Sequence, residues 1–71
     1  MDRVDVETPV ALGAFLKLCG AATTGGHAKR MVQDGLVRVN GEVETRRGRK
    51  VTPGDVVAIG ALEYQVCSSP T

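Results

Sequence analysis

The hydrophobic periodicity of this chain changes from helical to alternating at about Gly35, and that change limits the folds it can adopt. After Gly35, valines alternate with polar residues, as in short strands with one buried face. Before it, apolar residues recur at the spacing of two amphipathic helices, with buried stripes at Leu12, Phe15, Leu16 and Cys19 and at Ala28, Met31 and Val32. Helices followed by strands within 71 residues predict a single small α+β domain.

The ends of both helices can be predicted from capping residues. Thr8-Pro9 predicts an N-cap and a first helical position for the first helix, and Gly20 predicts its end. Gly13 weakens the early part of that helix, so its start could instead shift to Ala11. The second helix is expected to begin after Thr24 and to end at Gly35. The short connection between them predicts that the two helices pack as a pair.

A hairpin is predicted at Asn40-Gly41, between two segments of alternating residues. A two-residue loop would place Val39 opposite Glu42 and mix polar and apolar residues on each face. We therefore predict a bulged, three-residue-type turn with Gly41 at positive φ. Further strands are expected at Val51, at residues 56–59 and at residues 62–66. The domain should span residues 1–71 with a core of about 10–67, and both termini should fray.

The charge of the chain is concentrated in its middle. Residues 29–50 hold seven of the nine basic residues against three acidic ones, a formal charge of +4. The remainder holds two basic and five acidic residues, a charge of −3. A one-sided basic patch on a small domain indicates a polyanion binder. Its members, which we expect to share one side of the domain, are Lys29, Arg30, Arg38, Arg46, Arg47, Arg49 and Lys50.

Several function classes are disfavoured by composition. No nucleophile has an evident base beside it, so we predict no enzymatic activity. Two distant cysteines and one histidine cannot supply a zinc site, and we predict neither metal nor cofactor. With only Phe15 and Tyr64 as aromatics, recognition by base stacking is also disfavoured. No apolar run suits a membrane span or a signal peptide, so a cytoplasmic location is expected.

The second helix and the hairpin carry the pattern Thr24-x-x-x-Ala28-x-x-Met31-Val32-x-x-Gly35-x-Val37-x-Val39-Asn40-Gly41-x-Val43. The later strands carry Val51-x-x-Gly54-Asp55-x-Val57-x-Ile59. Over about residues 12–66, these patterns resemble the S-four RNA-binding domain, named after the fourth protein of the small ribosomal subunit. The chain looks closest to small, stand-alone bacterial proteins of this type. The resemblance implies an alpha-L motif, in which two helices pack on a small, mostly antiparallel sheet of about four to five strands.

The resemblance also implies where RNA would lie, against the second helix and the hairpin. Family members often have Ser-Arg where this chain has Thr24-Gly25, and we expect the basic run at residues 46–50 to compensate for that arginine. Gly25 could admit a phosphate to the helix start or only relieve a crowded turn. Carried over by position, the contacts are Thr24, Gly25, His27, Lys29, Arg30, Arg38, Asn40 and Gly41, and we add Lys17, which should be exposed.

The function expected from these features is non-catalytic binding of structured RNA, either ribosomal or transfer RNA, by a monomer that associates with ribosomal subunits. Two alternatives stay open. The basic patch could dock an acidic protein partner as an adaptor, or the chain could be an accessory domain that acts in trans with an RNA-modifying or ribosome-associated factor.

Overall fold

The computed structural model describes residues 2–7 and 9–68. Within these residues the helices are α1, Leu12–Leu18, and α2, Gly25–Gln33. The strands are β1 (Asp2–Val6), β2 (Val10–Ala11), β3 (Val37–Val39), β4 (Glu42–Val43), β5 (Lys50–Val51), β6 (Val56–Ile59) and β7 (Leu62–Ser68). Five strands form one sheet in the order β1-β7-β6-β3-β4, and β2 pairs with β5 separately. All pairs are antiparallel except β1 with β7, so the predicted α+β architecture is confirmed.

One face of the large sheet packs against both helices. Phe15, Leu12 and Leu16 of α1 are fully buried, and they join one core with Ala28, Met31 and Val32 of α2. The sheet contributes Val37, Val39, Val57, Tyr64 and Val66 to the same core. The other face carries the alternate residues of each strand, because successive side chains of a strand point to opposite faces. Within the described residues, neither helix is long and apolar enough to cross a membrane.

The amino-terminal segment is ordered into a strand, which the sequence did not lead us to expect. Asp2–Val6 runs parallel to β7, with Val4 beside Val66. Val6 is buried, so this edge strand has an apolar face despite its three charged residues. Val4 and Val6 alternate with charged residues, a pattern typical of a strand that the prediction of a frayed terminus overlooked. Of the other segment predicted to fray, residues 68–71, Ser68 belongs to β7 and residues 69–71 lie outside the described residues.

Helix α1 begins later than predicted. Its first residue is Leu12, and its N-cap is Ala11, which makes no capping side-chain hydrogen bond. Residues 10–11 are instead paired with β5, so Pro9 does not occupy the first helical position. The predicted cap, Thr8, lies outside the described residues. Backbone carbonyls of residues 47 and 49 accept hydrogen bonds from the first N–H groups of α1, in place of a capping side chain.

The β3–β4 turn corrects the predicted register. Arg38 lies opposite Val43, and Val39 lies opposite Glu42, so the loop has two residues and no bulge. Gly41 has φ 87°, as predicted, and Asn40 has φ 53°, a pairing typical of a type I′ turn. The bulged turn was predicted on the assumption that Val43 is buried, and that assumption was wrong. Val43 is 54% exposed, and a two-residue edge strand without a buried face need not preserve alternation.

Asn40 also fastens this turn to the start of β6. Its backbone N–H donates to the Val56 carbonyl at 2.7 Å, and its Oδ1 accepts from the Val56 N–H at 2.9 Å. Its Nδ2 donates to Oδ1 of Asp55 at 3.0 Å. Asp55 Oδ2 accepts from the Thr52 N–H at 2.9 Å. The Asp55 carboxylate therefore joins two turns that are distant in the sequence.

This carboxylate should make stability sensitive to acid. Partial burial opposes ionisation of Asp55, but the Thr52 N–H, the Asn40 amide and the charge of Arg49 together lower its pKa below the ordinary 3.8. A lowered folded-state pKa means that the stabilisation is complete above the ordinary value and lost as pH falls through the folded value. We expect Asp55→Asn to lower the free energy of unfolding at pH about 7 and to lower it by a smaller amount at pH about 3. Urea denaturation at both pH values measures this loss. An equal loss in the free energy of unfolding at the two pH values would contradict the expectation.

Candidate nucleic-acid interface

A basic loop, residues 46–50, is docked on the amino-terminal end of α1. The Leu12 N–H donates to the Arg49 carbonyl at 2.7 Å, and the Gly13 N–H donates to the Arg47 carbonyl at 3.1 Å. The first N–H groups of a helix have no acceptor within the helix, so they are available for such contacts. The loop backbone is therefore held at two points, and its cations occupy defined positions beside the helix.

Glu44 forms ion pairs with two of these cations, Arg46 and Arg49. Its Oε2 accepts from the Arg46 N–H at 3.1 Å and lies 3.4 Å from Arg46 Nε, and its Oε1 lies 3.4 Å from Arg49 Nε. The Arg46 backbone N–H, the Arg46 side chain and the charge of Arg49 lower the pKa of Glu44, although desolvation opposes them. Within the described residues, Arg47 and Lys50 make no ion pair.

A groove of about 300 Å³ lies between α1, the start of α2 and the basic loop. We call it the helix groove; its lining residues are Ala11, Gly13, Ala14, Lys17, Gly25, Arg47 and Gly48. It combines two cationic side chains with small residues that leave the space open, and no acidic residue lines it. Three residues predicted from separate parts of the sequence, Lys17, Gly25 and Arg47, thus meet in one place. Gly13, Ala14 and Gly48 were not predicted to lie at this surface.

The start of α2 is shaped by its cap. Thr24 Oγ1 accepts from the His27 N–H at 3.0 Å, which confirms Thr24 as the N-cap. His27 Nδ1 accepts from the Thr23 N–H at 3.3 Å, so this ring nitrogen supports the turn. Both side chains remain exposed beside Gly25. Their observed role is to hold the amino-terminal end of α2 in place next to the helix groove.

The remaining predicted contacts lie outside the helix groove. Lys29 and Arg30 are exposed on α2, and Arg30 lies 4.0 Å from Asp34. Asn40 and Gly41 form the β3–β4 turn, where the Asn40 amide is engaged by β6.

Arg38 does not share a side with the basic loop. Val37 and Val39, on either side of it, are buried against the helices, so Arg38 points to the opposite face of the sheet. There it lines a second groove of about 390 Å³ with Gly35, Leu36, Ala58, Ile59 and Gly60. The expectation that all seven central cations occupy one side was wrong for Arg38, because strand alternation reverses its direction.

Comparison with known proteins agrees with this architecture. Residues 5–67 match the family model described as "S4 domain". The chain is 46% identical over 64 residues to the "Probable ribosome maturation protein RlbA" of Bacillus subtilis (strain 168), covering 89% of each chain. It is 39% identical over 57 residues to the "Putative RNA-binding protein YbcJ" of Escherichia coli (strain K12), covering 80% of this chain and 81% of that one.

A solved structure extends the likeness to three dimensions. The solution structure of YbcJ from E. coli, described as revealing an alfaL motif involved in RNA-binding, superimposes with a TM-score of 0.68 and 33% identity. The match covers 94% of this chain and 85% of that one. The paired helices, the mostly antiparallel sheet and the family match over nearly the whole length lead to one assignment: this chain belongs to the S-four domain family and carries its alpha-L motif.

Proposed function

We propose that this protein binds structured RNA, and ribosomal RNA in particular, through the helix groove and the basic loop, as a monomer without catalysis. The observation that carries the proposal is the meeting of Lys17 and Arg47 in a groove that has no acidic lining residue. Arginine presents a planar fork suited to phosphate oxygens, whereas lysine supplies a mobile point charge. Two such groups beside an open groove favour a bent or folded phosphate backbone.

The relatives support the choice of ligand. YbcJ is named a putative RNA-binding protein, and its solution structure is described as revealing an alfaL motif involved in RNA-binding. RlbA is named a probable ribosome maturation protein. We therefore propose ribosomal RNA over transfer RNA, and assembling ribosomal subunits as the place of binding. A ligand of this kind implies that the protein works in the cytoplasm.

The positions of the aromatic residues favour contacts to phosphates over contacts to bases. Phe15 is fully buried and Tyr64 is 8% exposed, and the chain has no further aromatic residue. Base stacking requires an exposed aromatic face. The binding surface is instead built from Lys17, the basic loop, and the exposed Lys29 and Arg30 of α2.

Binding should therefore depend steeply on salt. If about four to six phosphates are neutralised, the logarithm of the association constant should fall with a slope of about −3 to −5 against the logarithm of salt concentration. Fluorescence anisotropy with ribosomal RNA purified from bacterial ribosomes would measure this slope, with DNA duplexes of equal length as the comparison. Crosslinking in cells, followed by sequencing of the attached RNA, should enrich a few ribosomal RNA sites. A slope near zero together with no enrichment would contradict the proposal.

The second groove favours protein docking as the alternative function. Leu36 and Val43 are 53% and 54% exposed on the same side of the sheet as Arg38, so this surface presents two large apolar side chains near a cation. Docking of an acidic partner there, or action in trans with an RNA-modifying factor through that surface, should be unaffected by changes to Lys17 and Arg47. The two functions can therefore be separated by variants in one groove at a time.

A further inference from the structure

We propose that Gly13 is a positioning residue for Arg47, and that its missing side chain is what allows the basic loop to present this arginine in the helix groove. The inference rests on the proposed function. Gly13 is buried in the first turn of α1. Within a helix, glycine is about 1 kcal/mol less favourable than alanine. A glycine at this position therefore needs a structural explanation.

The reason lies in the space beside Gly13. A β-carbon at this position would lie 2.5 Å from Cγ and 3.0 Å from Cδ of Arg47, and 3.8 Å from the Arg47 carbonyl oxygen. The first distance is well inside van der Waals contact. Any residue other than glycine therefore competes with the stem of Arg47 for the same volume.

Backbone conformation does not explain the glycine. Gly13 is helical and is absent from the positive-φ positions of the described residues. Its N–H donates to the Arg47 carbonyl at 3.1 Å, and any residue except proline could donate the same bond. The requirement for glycine thus comes from the arginine stem packed across it.

Arg47 cannot move aside without leaving its place in the groove. Its backbone is held by Gly13, and the Leu12 N–H bond to Arg49 at 2.7 Å holds the loop two residues later. The clashing atom is Cγ, close to the backbone, so flexibility at the end of the side chain offers no relief. A methyl group at position 13 must either rotate Arg47 to another rotamer or lift the loop from α1. Either change displaces the Arg47 side chain from its position in the lining of the helix groove.

A double-mutant cycle tests this inference. We expect Gly13→Ala to weaken binding of purified ribosomal RNA about tenfold, the scale of one charge-assisted contact, and Arg47→Ala to weaken it similarly. In the Arg47→Ala background, Cγ and Cδ are gone, so adding Gly13→Ala should cause no further loss. An undiminished loss in that background, or wild-type affinity of Gly13→Ala, would overturn the proposal.

Gly26→Ala is the matched control. Gly26 also lies in the first turn of a helix, but a β-carbon there meets only Thr24 Oγ1, at 4.0 Å. This variant should keep wild-type affinity. Thermal unfolding of each variant would show whether it is folded.

A measurement without RNA separates the failure of this inference from failure of the proposed function. In nitrogen-15 NMR spectra, Gly13→Ala should shift the Arg47 Nε–Hε resonance while leaving those of Arg30 and Arg38 in place. If wild type bound no RNA but this shift appeared, the proposed function would fail and the positioning role would stand. An unshifted Arg47 resonance would refute the positioning role whatever the RNA result.

Discussion

Replacing Arg46, Arg47 and Arg49 together with alanine is expected to weaken binding to ribosomal RNA at least about 100-fold at physiological salt, the largest loss predicted for any change in the basic loop. Three cations are removed, so the salt slope should become shallower by about 2 to 3. The same change leaves Glu44 without the two arginines that lie 3.4 Å from its oxygens, which adds an unpaired negative charge to the surface. Anisotropy titrations over a series of salt concentrations measure both quantities.

The matched control replaces the same three arginines with lysine. It keeps the formal charge and loses only the planar forks, so it should retain most of the salt slope and recover part of the affinity. Circular dichroism would check that both variants keep the helices of the wild type. If the alanine variant bound RNA with unchanged affinity, the basic loop would not be part of the interface.

Phe15→Ala is expected to cause the largest loss of stability. Phe15 is the largest of the fully buried side chains, and truncation of a buried phenylalanine to alanine typically costs about 3–5 kcal/mol. A domain of this size has a total stability of only about 5 kcal/mol, so the variant should be largely unfolded at 37 °C. Urea denaturation followed by circular dichroism measures the change in the free energy of unfolding.

Leu18→Ala provides the control on the same helix. Leu18 is 62% exposed, so its truncation should change the free energy of unfolding by less than about 0.5 kcal/mol. Both variants truncate an apolar side chain of α1 to alanine, but only that of Phe15 is buried. If both substitutions lowered the free energy of unfolding by the same amount, the assignment of Phe15 to the core would be wrong.

The elements that were predicted correctly are those indicated by residues close together in the sequence. The buried stripe of α2 needs only the 3.6-residue period, and its ends need only Thr24 and Gly35, so both agreed with the structure. The strand at residues 56–59 was predicted with its observed bounds for the same reason. The β3–β4 register failed because it depended on the burial of Val43, which is a property of the whole sheet. The strand at residues 2–6 was missed because its pairing partner is β7, at the far end of the chain.

The sequence by itself determined the charge of the central segment, the two apolar helical stripes and the residues of the β3–β4 turn, since each depends on residue type and short-range spacing. Only the tertiary structure decided which cations lie on the same side of the domain. Arg38 and Arg47 have equal charge. Strand alternation places Arg38 on one face of the sheet. Arg47 lies on the other side, because its backbone carbonyl accepts a hydrogen bond from a first-turn N–H group of α1 that has no acceptor within the helix. The carbonyl of Arg47 meets the N–H of Gly13 only after the chain has folded, and that long-range contact places Arg47 in the helix groove.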